Sequence, residues 1–281
     1  MSRPITSTTR VVTLLGDPVA HSMSPVIQNA AFHAADVDAV YVALRSSASD
    51  LAHLMRGISA GGGAGNVTLP HKEKAATVVT APSDAVRRTG ACNTFWGDGA
   101  EIRGDNTDVE GFVRALRSFL GHPPTNHRVL LLGAGGAARA ALVGLLDDGV
   151  EEVLIMNRTT ERARAVARRI GGKRVRVADG RAAVQGESFD LVVNATRLGL
   201  DERDPLPVDL ELFDRVGAVL DLVYGSGTTA FVRTAERRGL RAADGREMLV
   251  QQGAVAFERW TGQAAPVDAM RDALRVTLTA C

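Results

Sequence analysis

The sequence is poor in cysteine, in aromatic residues and in net charge, and it has no long apolar run. Each shortage excludes something. The two cysteines, Cys92 and Cys281, lie far apart in a chain of 281 residues. They form neither a disulfide framework nor a zinc-ligand spacing, so a reducing compartment and no metal site are expected. Aromatic residues make up 4% of the chain, too few for a surface on which bases stack. A formal net charge of +1 provides no field drawing the chain to nucleic acid or to a membrane. No apolar run approaches the roughly 18 residues of a membrane-spanning helix. The N-terminal stretch MSRPITSTTR is polar and lacks the apolar core of a signal peptide. A cytoplasmic protein is expected, and its length suits two domains or one large α/β unit.

What the chain does have is organised around residues 129–162. Val129–Leu132 is apolar and of strand length, and it stops at Gly133-Ala134-Gly135-Gly136-Ala137. A helical pattern follows through Leu142, Leu145 and Leu146, then a second apolar run, Val153–Met156. Strand, glycine turn, helix and strand make a βαβ unit with parallel pairing. Gly133 permits the tight turn. Gly135 lets backbone approach a pyrophosphate, whose charge suits the free amides of a helix N-terminus. Where an NAD site places a carboxylate for the ribose 2′-hydroxyl, this chain has Asn157-Arg158-Thr159, with Arg162 a helical turn later. Arg158 and Arg162 would pair with a 2′-phosphate. Thr159 could cap the next helix while donating its hydroxyl. The cofactor expected is therefore NADP. Arg164, Arg168 and Arg169 read as an ordinary solvated helix face.

Elsewhere the chain alternates strands and helices, with polar residues at the strand ends. After the strand Val11–Leu15, Ser24 and Pro25 suit the N-cap and first position of a helix, which leaves Ser22 without a structural duty on that loop. Gly61–Gly65 reads as a flexible break ahead of a short strand, Asn66–Leu69. Lys72 sits at the strand–helix corner that follows, either as a surface lysine or as a functional one. A hairpin turn is expected at Gly97-Asp98-Gly99. Asn106 or Thr107 caps the helix Val109–Leu120, leaving two carboxylates, Asp105 and Asp108, at its start. Asn194 and Thr196 close a strand where a cofactor contact or a plain turn would both fit. Val219–Val223 is a further strand, ending at Tyr224-Gly225-Ser226-Gly227. The character of the chain changes at Gly245, where helices take over.

Taken together, the ordered motifs GDPVAHSMSP, NVTLPHK, GACNT, DNTD, GAGGAARA, NRT, NAT, DLVY and MLVQQGAVAFERWTG resemble those of the shikimate dehydrogenase family. The resemblance implies an α/β protein of two domains. A substrate domain would take residues 1–107 and be completed by helices at 246–281, and a Rossmann-type NADP domain would take 108–245. It implies NADPH-dependent, reversible reduction of 3-dehydroshikimate to shikimate, a step of chorismate and aromatic amino acid biosynthesis. It assigns Lys72 and Asp108 as the catalytic pair. Ser22 and Ser24 would bind the substrate carboxylate, and Thr68, Asn93 and Gln252 its ring hydroxyls. Tyr224 would lie near nicotinamide and substrate. Gly133, Ala134, Gly135, Gly136, Ala137, Asn157, Arg158, Thr159, Arg162, Asn194, Thr196 and Gly245 would hold or border NADP. The partner implied is a small-molecule substrate, bound by a monomer or homodimer. Two alternatives remain at this stage: a broader quinate/shikimate enzyme, and a ligand-sensing homologue without turnover. Two departures stand out. Gly225-Ser226-Gly227 replaces the proline common after the Val-Tyr pair, and Arg197-Leu198 fills a loop that smaller residues normally occupy.

Overall fold

The structure is a computed structural model, and it describes residues 4–201, 203–225 and 227–280. Ser226, Cys281 and the first three residues of the polar N-terminus lie outside them. The chain divides into two compact units, one formed by residues up to Gly111 together with those from Leu249 onward, the other by Phe112–Met248.

The first unit is built on β1 (Arg10–Gly16), α1 (Ser24–Ala34), β2 (Ala39–Arg45), α2 (Leu51–Ala60), β3 (Ala64–Val67), α3 (Lys72–Val78), β4 (Ala81–Pro82), α4 (Asp84–Thr89), β5 (Thr94–Asp98) and β6 (Glu101–Asp105). The start of α5 (Thr107–Leu120) also belongs to it. Its six-stranded sheet has the order β2-β1-β3-β5-β6-β4. β1 runs parallel to β2 and β3, and β5 is antiparallel to β3 and β6. Alternation along β1 sends Val12 and Leu14 into one buried cluster and Leu15 into another, so both faces of the sheet are covered. The carboxyl ends of β1 and β3 lie side by side, with Leu15 opposite Val67. Backbone bonds from Asp17 N–H to Leu69 O (3.1 Å) and from Thr68 N–H to Leu15 O (2.9 Å) tie their loops together.

In the second unit β7 (Arg128–Leu132), α6 (Gly136–Asp147) and β8 (Glu152–Met156) form the βαβ core. α7 (Thr160–Val166), β9 (Val175–Val177), β10 (Ser188–Asn194), β11 (Arg215–Asp221), α8 (Ala230–Arg237) and β12 (Arg241–Ala243) complete the sheet and its cover. All its strands are parallel, in the order β12-β11-β10-β7-β8-β9. This is a doubly wound order, reversing between β7 and β10, where such sheets bind dinucleotides. Val129 and Leu131 enter one core, and Leu130 and Leu132 the other. A strand buried on both faces reads as a continuous apolar run for this reason. α9 (Arg246–Thr261) and α10 (Val267–Ala280) close the chain. The divisions at 111/112 and 248/249 fall inside α5 and α9, a few residues beyond the loops at which a boundary was expected. No helix among the described residues is long and apolar enough to cross a membrane.

Several local expectations change. Ser24 is the first residue of α1 rather than its cap, and Met23 takes the cap position without a side-chain bond. The hydroxyl accepting the Ser24 N–H is that of Ser22, at 3.2 Å, so Ser22 does have a structural duty. β3 begins at Ala64 and ends at Val67, leaving Thr68 and Leu69 in the turn. β11 stops at Asp221, short of Leu222 and Val223. The hairpin turns at Gly99-Ala100, because Gly97 and Asp98 are still paired with Ile102 and Glu101. Thr159 is the N-cap residue of α7, but its hydroxyl makes no cap bond.

Gly63 and Gly65 are buried, so the break expected at 61–65 is not flexible throughout. A Cβ at Gly65 would stand 2.7 Å from Thr13 O and 2.8 Å from Phe95 Cε1. Gly65→Ala is therefore expected to cost about 1–3 kcal/mol by overpacking. Denaturant unfolding measures this, and an unchanged midpoint would show that the strands yield without cost.

Candidate active site and dinucleotide cavity

The carboxyl edge of the first sheet carries the polar residues. β3 ends in the turn Thr68–His71, closed by His71 N–H to Thr68 O at 2.9 Å. The buried His71 ring reaches Ser46 O at 2.8 Å and anchors this corner. Lys72 follows as the first residue of α3. Its Nζ lies 2.5 Å from Asp108 Oδ2, with side-chain exposures of 20% and 8%. A pair this short and this sheltered from water is more than a surface ion pair.

Asp108 is held from several directions. It is the second residue of α5, and its N–H bonds Asn106 Oδ1 at 3.3 Å, so Asn106 does the capping. Its Oδ1 accepts from Asn93 Nδ2 at 2.9 Å. The second carboxylate, Asp105, is used structurally. It accepts from Ser83 Oγ (2.5 Å) and Asn106 N–H (2.8 Å), and pairs with Arg259 of α9 at 2.9 Å. Cys92, next to Asn93, is buried, and burial pushes its thiol up to about 12, so it is inert as a thiolate.

Lys72, Asp108 and Asn93 therefore meet directly. Thr68 is half-buried in the turn ahead of Lys72. Gly16 makes room for it, since a Cβ there would lie 2.4 Å from Thr68 Cγ2. Ser22 and Ser24 follow the end of β1, on the same edge of the sheet. Gln252 enters from α9. A Cβ at Gly111 would lie 2.6 Å from Gln252 Cα, and Gly111 stands one turn after Asp108 on α5. The Gln252 side chain donates to Leu249 O at 2.9 Å.

The second unit contains a cavity of about 730 Å³ at the carboxyl ends of β7, β8, β9 and β10. Gly133, Ala134, Gly135, Asn157, Arg158, Thr159, Arg162 and Thr196 all line it. Gly133 has φ +112°, and a Cβ there would stand 2.8 Å from Ala195 O, so the tight turn requires glycine. A Cβ at Gly135 would meet nothing within 4 Å, as expected where glycine leaves room for a ligand.

Gly136, Ala137, Asn194, Tyr224 and Gly245 are not among the residues lining the cavity. Asn194 is fully buried and bonded to Asp221 Oδ1 (2.7 Å), Leu198 O (3.1 Å) and the Thr196 N–H (3.0 Å), so it shapes the loop that carries Thr196. A Cβ at Gly245 would strike Leu222 O at 2.2 Å, so this glycine serves close backbone packing. Burial raises the Tyr224 phenol above its ordinary value, which keeps it an O–H donor.

Two further arginines line the cavity without having been expected to hold the cofactor, Arg181 and Arg197, the latter noted above only as a departure from the family pattern. Both follow the carboxyl end of a parallel strand, the position that had already singled out Arg158. Among the described residues, no guanidinium partner occurs for Arg158, Arg162, Arg181 or Arg197. Asp179, the one acid lining the cavity among the described residues, is answered by Arg164 at 3.5 Å and by Thr160 at 3.4 Å. Unpaired cations around a glycine turn fit a ligand with several phosphate charges, so NADP suits the residues present.

Comparison with known proteins decides the family. Residues 14–95 match the shikimate dehydrogenase substrate binding domain, 118–198 the shikimate/quinate 5-dehydrogenase model, and 245–275 the shikimate 5′-dehydrogenase C-terminal domain. The chain is 44% identical to the NADP(+) shikimate dehydrogenase of Rubrobacter xylanophilus, over 98% of this chain and 99% of that one. It is 40% identical to that of Moorella thermoacetica, over 98% and 96%. The chain belongs to the shikimate dehydrogenase family. A family member from Thermus thermophilus, solved with NADP(H) and shikimate, superposes with a TM-score of 0.86 at 36% identity, covering 95% of this chain and 99% of that one. The two parallel-dominated sheets, each packed with its own helices, are the α/β architecture of this family.

Proposed function

We propose that this chain catalyses the reversible, NADPH-dependent reduction of 3-dehydroshikimate to shikimate, in the cytoplasm, as a monomer or homodimer. The observation that carries the reading is the sheltered contact between Lys72 and Asp108, 2.5 Å apart at the edge of the first sheet. Reducing a ketone needs a hydride at carbon and a proton at oxygen. When bound, NADPH supplies the hydride. Lys72 delivers the proton: its N–H bond breaks as the O–H bond of the new alcohol forms, and the neutral amine recovers a proton from water. Asp108 aims the ammonium and balances its charge until then. In the oxidative direction the same amine accepts the hydroxyl proton.

The remaining roles follow from donors and acceptors. The Ser22 hydroxyl accepts from the Ser24 N–H, which leaves its own proton for a substrate carboxylate. Ser24 is the second hydroxyl there. Thr68, Gln252 and Asn93 serve the ring hydroxyls, Asn93 only by sharing an amide already engaged within the protein. Tyr224 adds a phenolic donor. Such bonds discriminate strongly against analogues lacking a hydroxyl. Gly133–Ala137 and the start of α6 hold the diphosphate. Asn157, Arg158, Thr159 and Arg162 hold the phosphorylated ribose, and Thr196 borders it. Asn194 and Gly245 act as supports.

Initial rates with shikimate and with quinate, each against NADP⁺ and NAD⁺, test the reading. The highest kcat/KM is expected for shikimate with NADP⁺. Comparable rates with quinate would make this a broader enzyme. No NADPH oxidation with 3-dehydroshikimate would leave ligand sensing as the function.

A further inference from the structure

A line of buried hydrogen bonds runs beneath the Lys72–Asp108 pair and links four elements of the first sheet and its loops. Tyr41 of β2 is 1% exposed, and its hydroxyl crosses over β1 to reach Asn66 Oδ1 of β3 at 2.8 Å. Asn66 Nδ2 bonds Thr94 Oγ1 of β5 at 2.8 Å. Thr94 Oγ1 bonds Asn93 Oδ1 at 3.1 Å, and Asn93 Nδ2 bonds Asp108 Oδ1 at 2.9 Å. Asn66, Asn93 and Thr94 are all buried.

Two backbone groups fix the direction of this line. Asn66 Nδ2 also lies 3.0 Å from Asn93 O, a carbonyl that can only accept. The nitrogen of Asn66 must therefore face Thr94, and its oxygen must accept from Tyr41. Asn93 Oδ1 takes the Thr107 N–H at 2.8 Å, a group that can only donate. The nitrogen of Asn93 must therefore face Asp108. Thr94, receiving from Asn66, has one proton, and Asn93 Oδ1 at 3.1 Å is the nearer of its two acceptors, the other being Thr107 Oγ1 at 3.3 Å. Burial holds the Tyr41 phenol well above its ordinary value, so it stays an O–H donor. The Ser24 hydroxyl lies against that phenol at the far end. Every donor in the line points the same way, and the last one points at Asp108. Aligned bonds of this kind polarise and strengthen one another.

Asn93 has nothing to spare within this arrangement. Its two amide protons go to Asp108 Oδ1 and to Thr107 Oγ1 at 3.0 Å, and its oxygen takes the Thr107 N–H, the Thr94 hydroxyl and, at 3.2 Å, the Thr107 hydroxyl. We infer that Tyr41, Asn66 and Thr94 are positioning residues for the reaction, which together with the Thr107 N–H hold the Asn93 amide in place and thereby fix the Asp108 carboxylate where it grips Lys72. This rests on the function proposed above.

The test compares Thr94→Val, which keeps the shape of the side chain and removes its hydroxyl, with Thr94→Ser, which keeps the hydroxyl, and with Tyr41→Phe. NADPH oxidation by 3-dehydroshikimate is measured for each, alone and in an Asp108→Asn background. Thr94→Val and Tyr41→Phe are each expected to lower kcat about tenfold, the scale of a hydrogen bond to a charged group. KM should move less than about threefold, and Thr94→Ser should recover the rate. In the Asp108→Asn background the same two changes should cost no further kcat, because groups acting through one residue are not additive. A kcat equal to wild type in the soluble Thr94→Val or Tyr41→Phe protein, or full additivity with Asp108→Asn, overturns the inference while the proposed function stands. Wild-type protein that fails to oxidise NADPH overturns both. If one variant does not fold, the other carries the same expectation.

Discussion

Lys72→Ala is expected to lower kcat for 3-dehydroshikimate reduction by about a thousandfold, within the range that general acid catalysis supplies. The fold should survive. Lys72 is the first residue of α3 and its side chain remains 20% exposed, so truncation opens no cavity in either core of the sheet. Asp108 loses its cation but keeps Asn93 and the Asn106 cap, so its carboxylate is not left bare. The loss should therefore fall on kcat, with KM for the substrate nearly unchanged, because the lysine acts on charge that develops at oxygen in the transition state. Rapid-mixing kinetics alongside thermal melts separate chemistry from stability. Retention of more than about a tenth of kcat in a folded variant would move the proton-transfer role to another group. Lys72→Arg should not rescue, since a guanidinium is a poor proton donor near neutral pH and its planar fork does not match the short contact with Asp108.

Much of this architecture was legible from residue order alone, and the reasons are physical. β7 is apolar at every position from Val129 to Leu132 because helices cover both faces of a parallel sheet, and such a strand is visible as a run. Gly133 was legible as a tight turn because positive φ is a demand made by the local backbone. Gly65 was not, because what forbids a side chain there is Thr13 and Phe95, and no local pattern announces neighbours 52 and 30 residues distant. The same limit hid the line from Tyr41 to Asp108. Tyr41 reads as an apolar strand residue, and its partner Asn66 is 25 positions away across an intervening strand. Ser24 looks like a helix cap by composition, yet it is the first helical residue, and its own N–H is taken by the Ser22 hydroxyl, because backbone geometry rather than residue type sets where the helix begins. Arg181 and Arg197 are not marked as cofactor residues by any local motif. Ligands bind at the carboxyl ends of parallel strands, which holds for β9 and β10 as much as for β8, but only the glycine turn after β7 and the end of β8 carry a dinucleotide fingerprint in sequence.

The arginines give the second large effect. Arg158→Gln is expected to raise KM for NADPH by about 10- to 100-fold, and that for NADH by less than about threefold, because a charge-assisted bond contributes about 1.5–3 kcal/mol and the two cofactors differ only in the 2′-phosphate. Arg158 and Arg162 both line the cavity and, among the described residues, have no acidic partner to reclaim. Removing either therefore subtracts a favourable contact with the ligand and releases no compensating one. The double variant Arg158→Gln/Arg162→Gln should lose about a thousandfold in NADPH affinity, somewhat less than the sum of two full bonds, since both guanidinium groups serve one phosphate. Raising the salt concentration should narrow the difference between wild type and variant, because the attraction is between exposed charges. Titration of cofactor fluorescence measures these affinities without turnover. Equal losses for NADPH and NADH would mean that Arg158 serves the diphosphate, which both cofactors share. The 2′-phosphate would then fall to Arg181, the cavity arginine that follows β9, the strand paired with β8 on the side away from the glycine turn.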